Sequence, residues 1–226
     1  MRVMLMGCEY TGKTTLARDI AQVITEQTGD PLPMHQFGWH DHFVLPFSSS
    51  SIGEADEDAE QILAMKPSLL EKFSRYLTYY HFQHVISTDN HHLLTNWYYG
   101  DAVYAPIYYG YGAPGGYADR LAMARVLDAE VMRVMPDMVL VQMTAGADTI
   151  RRRMSEGRHA HCFLKEDDVD LVRGRFDEEY QSSLIRRKFT LDTSDHTAEE
   201  TLSAFMQQIK SHLNTRDLLA LQRYYE

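Results

Sequence analysis

A chain of 226 residues and 26.1 kDa is long enough to bury a full core within one domain. Its 22 Lys and Arg against 32 Asp and Glu leave a formal charge of −10, which excludes a surface built to coat duplex nucleic acid or anionic membrane and leaves room only for a local basic patch. With 44% hydrophobic and 24% charged residues the composition is that of a folded globular protein and not of a disordered chain.

No apolar run approaches the roughly 20 residues that cross a bilayer. Met1–Met6 leads into a Gly-rich motif and not a signal-peptide cleavage site, so a cytoplasmic location is expected. Cys8 and Cys162 are the only cysteines, which rules out a disulfide framework and suits a reducing compartment. Cys162 lies near His159 and His161, but zinc would need further ligands from elsewhere.

In chain order, Val3–Met6 reads as an apolar strand, followed by a Gly-rich turn and a helix over Lys13–Thr28 with Leu16, Ile20 and Val23/Ile24 on one face. A His- and aromatic-rich segment, 34–47, and an acidic stretch, 54–60, precede a short helix through Ile62 and Met65. Pro67 opens a helix with Leu69/Leu70, Phe73 and Leu77 at helical spacing, and Val85–Thr88 reads as a second strand ending at Asp89. Residues 90–117 form an aromatic, Gly-rich insert, and Ala118–Met135 is helical. Met138–Met143 is a strand, Asp148–Glu156 a helix within a lid region spanning 148–166, and Asp167–Arg187 a longer helix. Strand Phe189–Asp192 and helix Ala198–Leu213 close the unit. Strands separated by helices predict one α/β domain over 1–226, a three-layer α/β/α fold with a parallel central sheet.

The strongest chemical signal is Gly7-Cys8-Glu9-Tyr10-Thr11-Gly12-Lys13-Thr14, which satisfies G-x-x-x-x-G-K-[ST] at every fixed position between a strand and a helix. Its glycines let backbone N–H groups and the helix N-terminus converge on phosphate oxygens. Gly7, Tyr10, Thr11, Gly12, Lys13, Thr14 and Thr15 are therefore the expected nucleotide-phosphate contacts, with Lys13 reaching the β- and γ-phosphates and the Thr14 hydroxyl ligating Mg²⁺. Asp192-Thr193-Ser194-Asp195 lacks the lysine of a guanine-specificity motif, and the chain is short for a motor. Both point to a kinase with a small acceptor.

Over most of its length the sequence resembles the P-loop nucleoside and nucleotide kinases, particularly the thymidylate-kinase and deoxynucleoside-kinase branch. The resemblance rests on the P-loop and on the order of parts: Leu69-Leu70-x-x-Phe73-x-Arg75 followed by His81, the Val85–Asn90 segment, an aromatic stretch, an Arg-bearing helix over 148–158 and a terminal strand and loop over 191–195. It implies the P-loop NTPase fold with a helical lid, ATP and Mg²⁺ as cofactors, an acceptor-binding Arg75, and lid arginines Arg153 and Arg158. Asn90 stands where those kinases carry arginine, and the acidic-proline element after their second strand is absent, the nearest carboxylate being Asp41.

Beyond the P-loop, each residue carries two readings. Asp89 at a strand end suits a Mg²⁺ ligand or an acceptor-orienting group, or caps a turn. Asp41, between His40 and His42, suits a general base or is a solvated loop carboxylate. Arg151, Arg152, Arg153 and Arg158 either close over the transferred phosphoryl group or form a solvated helix face paired with Asp148 and Glu156. The span Trp97–Tyr117 holds seven of fourteen tyrosines; Trp97, Tyr98 and Tyr99, with Asn90 beside them, either stack on a planar acceptor or build an aromatic mini-core or dimer contact. The expected function is ATP- and Mg²⁺-dependent phosphoryl transfer to a nucleoside, nucleotide or similar planar small molecule. A hydroxymethylated or otherwise modified base, free or in DNA, is the alternative acceptor, and a nucleotide-binding regulatory module the alternative class.

Overall fold

In a computed structural model, residues 1–29, 61–62, 64–87, 92–157 and 162–226 are described. The elements run β1 (Arg2–Met6), α1 (Lys13–Thr28), α2 (Pro67–Ser87), β2 (His92–Thr95), α3 (Trp97–Tyr104), a π-helical turn (Ala105–Tyr109) and α4 (Arg120–Val134). The second half continues with β3 (Val139–Thr144), α5 (Ala147–Glu156), α6 (Val169–Ser182), β4 (Arg187–Asp192), α7 (Ala198–Ile209), α8 (Thr215–Ala220) and α9 (Gln222–Tyr225).

The four strands form one parallel sheet in the order β2-β1-β3-β4. Alternation along β1 divides the core in two. Val3 and Leu5 face a cluster with Leu16, Ile20 and Ile24 of α1 and Phe205 and Ile209 of α7. Met4 and Met6 face the opposite cluster, built from α3, α4 and α6. Helices therefore cover both faces, as a parallel sheet requires. Because β1 has β2 on one side and β3 on the other, the chain reverses its winding there, and the crevice beyond the carboxyl end of β1 is the expected ligand position.

One predicted element is misplaced. Val85–Ser87 continue α2, and the second strand is His92–Thr95, inside the segment read as an insert. A four-residue apolar run fits a buried strand or a helix end equally well, and here the helix preceding it continues. The helix expected to reach Arg187 stops at Ser182 because Asp128 captures the next turn: its Oδ2 accepts the Leu184 N–H at 2.9 Å.

That carboxylate anchors the second core. Asp128 is fully buried, and its Oδ1 accepts the hydroxyls of Tyr98 at 2.7 Å and Tyr99 at 2.5 Å, while Tyr99 also lies 2.6 Å from the Ser183 hydroxyl. Burial, reinforced by the Asp128 carboxylate, pushes both phenols far above their ordinary pKa, so they remain donors. Asp128→Ala leaves three buried donors without their acceptor and is expected to cost about 3 kcal/mol or more in urea unfolding. Val126→Ala, at an exposed position of the same helix, should stay within about 0.5 kcal/mol.

Candidate functional site: the loop between β1 and α1

The loop 7–14 turns sharply through residues in left-handed conformation, Gly7 (φ 150°), Tyr10 (φ 64°) and Gly12 (φ 86°). A Cβ at Gly7 would collide with the Met143 carbonyl oxygen, so glycine there lets β1 and β3 end side by side. Gly12 caps α1 with no side-chain partner and no acidic residue follows in the first turn. No N-cap side chain occupies the start of this 16-residue helix, the arrangement that favours an external anion there. Thr14 and Thr15 are exposed at this end. Lys13 is buried, its ammonium donating to the Cys8 carbonyl at 2.6 Å, which places the cation along the loop's inner edge. Burial pushes the Cys8 thiol up to about 12 despite the nearby Lys13, so Cys8 is no thiolate nucleophile at neutral pH.

Three neighbouring elements hold the loop. From the end of β2, Asn96 Oδ1 accepts the Gly7 N–H at 2.9 Å; from α3, the Tyr104 hydroxyl accepts the Glu9 N–H at 3.2 Å. From the segment after β4, the buried Thr193 hydroxyl lies 3.1 Å from the carbonyls of both Thr11 and Thr144. Arg153 completes this clasp. Its guanidinium donates to the Tyr10 carbonyl at 2.9 Å and to the Thr193 carbonyl at 2.7 Å, tying α5 to the loop. Asn96 is buried at φ 55°, ψ −50°, and Trp97 follows at φ 42°; two successive non-glycine residues at positive φ place backbone strain beside the loop.

The candidate residues divide clearly. Gly7, Tyr10, Thr11, Gly12, Lys13, Thr14 and Thr15 converge as one loop. Asp41, Asp89, Asn90 and Arg158 lie outside the described residues. The strand that motivated Asp89 ends instead at Thr95, so the side chain beside the loop is the amide of Asn96, followed by Trp97 and not by a cation. Trp97, Tyr98 and Tyr99 are buried at 1%, 1% and 0% exposure, Trp97 stacking on Phe82 at 5.6 Å. They form the aromatic mini-core and present no face to a ligand. Arg75 is half-exposed and pairs with Glu71 at 3.2 Å, which also holds the buried Arg120 at 3.1 Å. Among the other arginines, Arg151 pairs with Asp170 at 2.7 Å and Arg152 lies 3.9 Å from Glu156, both on the surface.

Four site residues escaped the sequence reading. Asn96 and Thr193 act through tertiary hydrogen bonds that no local pattern announces. Arg173 on α6, 3.3 Å from Asp170, lies close enough to Cys8 and Asp192 to affect both. Glu9 carries a carboxylate on the loop itself, and it accepts the Leu164 N–H at 2.7 Å. Around it stand Tyr104, Tyr108, Tyr109 and Phe163, the last two meeting edge to face at 5.7 Å. The π-helical turn brings these rings to the loop, a distortion frequent at functional sites.

The sequence matches no family model and no curated protein. Solved structures supply the comparison. The chain is similar to deoxyadenosine kinase from M. mycoides with bound dATP, at 9% identity, TM-score 0.59 and coverage of 93% of this chain and 100% of that one. It is also similar to the YorR protein of Bacillus subtilis, solved in complex with phosphorylated GDP, at 15% identity, TM-score 0.57 and coverage of 95% and 99%. The chain has the fold of the P-loop kinases. The deoxyadenosine kinase with dCMP and dCDP gives the same picture at 11% identity and TM-score 0.54. The P-loop kinase architecture thus extends over nearly the whole chain, and no described helix is long and apolar enough to cross a membrane.

The Arg153–Thr193 clasp is testable by a double-mutant cycle. Arg153→Ala and Thr193→Val should each lower stability, and together they should cost less than their sum by about 0.5 kcal/mol or more, because both remove the bond from the Arg153 guanidinium to the Thr193 hydroxyl at 3.2 Å. Additive effects in urea unfolding would show Arg153 to be independent of the loop.

Proposed function

We propose that the chain is a kinase that transfers the γ-phosphoryl group of ATP, with Mg²⁺, to a hydroxyl or phosphate of a nucleoside, nucleotide or similar planar small molecule. The observation that carries this reading is the uncapped N-terminus of α1 behind a glycine-shaped loop with Lys13 laid along it, at the point where the sheet reverses its winding. That the similar solved structures hold dATP, dCMP and phosphorylated GDP supports a nucleoside-like ligand.

The donor set suits Mg²⁺ bound through phosphates. Among the described residues no group of three or more His, Cys, Asp or Glu side chains forms an all-protein metal cage, while the Thr14 hydroxyl is exposed at the cradle. Mg²⁺ bound there, with the Thr14 hydroxyl as a ligand, would supply charge neutralisation on the triphosphate. The loop amides and Lys13 hold the triphosphate, Lys13 exchanging the Cys8 carbonyl for phosphate oxygen. The acceptor oxygen attacks the γ-phosphorus, the bond to the β–γ bridging oxygen breaks, and ADP departs. With a hydroxyl acceptor, the proton passes to a carboxylate, for which Asp41, Asp89 and the loop's own Glu9 are the candidates. On this reading Arg153 and Arg173, together with Arg158, would supply positive charge from the lid, and Arg75 and Asn90 would contact the acceptor.

A modified base, free or in DNA, is favoured as a second acceptor reading by one feature: β2 is followed by Asn96-Trp97, which puts no cation directly after the strand to grip an acceptor phosphate. Release of ADP should depend on added acceptor in a screen of nucleosides, monophosphates and hydroxymethylated oligonucleotides, and Lys13→Ala should lower kcat about 100-fold or more. ATP binding with no acceptor-dependent turnover across that panel would instead identify a regulatory nucleotide-binding module. Full turnover by Lys13→Ala would remove the loop from the chemistry.

A further inference from the structure

The outer face of α2 belongs to neither core nor nucleotide loop. Leu70, Ser74, Leu77 and Phe82 point inward, whereas Lys72, Arg75, Tyr76, Tyr79 and Tyr80 occupy one continuous outer stripe at helical spacing. Three tyrosines are unusually open for such large rings: Tyr76 is 70% exposed, Tyr80 51% and Tyr79 42%. Tyr76 and Tyr80 lie parallel, 6.5 Å apart with an 18° interplanar angle, so the rings are already ordered as a flat platform.

The charge on this stripe is opposite to that of the whole protein. In a chain of net charge −10, the only carboxylate of α2 is Glu71, which is fully buried between Arg120 and the inner side of Arg75 at 3.2 Å. Among the described residues of α2, the outer face therefore carries Lys72 and the half-exposed Arg75 interleaved with aromatic rings and no exposed acid. Bases offer flat π faces to such rings while phosphates neutralise the cations, without hydrogen-bond readout of sequence. A duplex keeps its bases stacked on each other and out of reach of rings on a convex helix. A second copy of the chain pairing through the same face would set Lys72 and Arg75 against cations of their own kind.

We propose that the outer face of α2 binds single-stranded nucleic acid, with Tyr76, Tyr79 and Tyr80 stacking on unpaired bases and Lys72 and Arg75 contacting the backbone. Pro67, at the start of α2, packs against Gly110, where the π-helical turn ends, so the face adjoins the turn that carries Tyr108 and Tyr109. Lys72, Tyr76, Tyr79 and Tyr80 take no part in the kinase reading, which uses only Arg75 of this helix.

Fluorescence anisotropy of a labelled oligothymidylate of roughly 20 nucleotides tests the proposal, with the same strand in duplex form as control. The single strand should bind more tightly than the duplex. Tyr76→Ala with Tyr80→Ala should weaken it about tenfold or more, while Phe at both positions restores binding because the ring and not the hydroxyl acts. Lys72→Gln should reduce the slope of log K against log[salt] by about 0.7. ATP affinity and melting temperature should remain unchanged in all variants, since these side chains lie outside the loop and the core. Absence of single-strand binding, or binding unaffected by the tyrosine-to-alanine pair, overturns the proposal. So does sedimentation showing a dimer that the same pair dissociates, which would make this face an interface between copies. None of these results bears on acceptor-dependent ADP release.

Discussion

The close approach of β1 and β3 at their carboxyl ends, where only a glycine at position 7 clears the Met143 carbonyl, is the constraint on which the rest of the architecture depends. With the strand ends this near, the chain leaving β1 must turn at once, and it does so through backbone conformations that side chains disfavour. A loop of that shape is not stable by itself. Its curvature is imposed by hydrogen bonds from β2, α3 and the segment after β4, each ending on a different part of the loop. The sheet thus serves the site less as a wall than as a jig, in which two strand ends and one helix determine where the backbone amides point. Such preorganisation matters for phosphoryl transfer, where positioning and charge stabilisation dominate.

How the remaining polar groups are used follows from the low tolerance of a buried core for unmatched charge. Arg120 lies between Glu71 and Asp101, with the Tyr111 ring 5.0 Å from its guanidinium, and Arg75 joins Glu71 from the half-exposed side, so two buried carboxylates face two arginines. Burial still raises Asp101 above the ordinary carboxylate range, against the pull of Arg120 and the Tyr111 hydroxyl. Such networks cost desolvation and are weak sources of net stability, but they fix register, because helices α2, α3 and α4 match their charges in only one arrangement. The Asp128 cluster does the same for α3, α4 and the turn after α6. Together they orient α3 and the π-helical turn that carries tyrosines to the loop's edge.

This division explains what the sequence disclosed. β1, the loop and α1 were readable because each follows from local rules: an apolar strand, a glycine pattern, and a 3.6-residue stripe of Leu16, Ile20 and Ile24 ending at Gly29. The parallel sheet followed from alternating strands and helices. The second strand was misread because Val85–Ser87 and His92–Thr95 are similar short apolar runs, and what separates them is how far α2 propagates. Trp97, Tyr98 and Tyr99 were ambiguous for a related reason. An aromatic cluster looks alike in sequence whether it stacks on a ligand or fills a core, and the deciding partner, Asp128, lies about 30 residues away. Asn96 and Thr193 were invisible because their roles exist only where distant strand ends meet.

The net charge of −10 is unevenly distributed over the molecule. Arg120 is buried among carboxylates, Arg125 is partly buried beside Asp128 and Glu179, and Arg153 and Lys13 turn inward onto carbonyls of the loop and its clasp, so these cations do little to soften the acidic exterior. A strongly acidic surface repels a polyanion at long range, yet at about 8 Å of screening length in physiological salt the repulsion is short-sighted. An acid-free face such as the outer stripe of α2 therefore sets its own local potential, and net charge alone does not decide what that face can hold. The same holds at the loop between β1 and α1, where helix amides and Lys13 act on an anion at short range and the net charge of the whole chain does not decide the local potential.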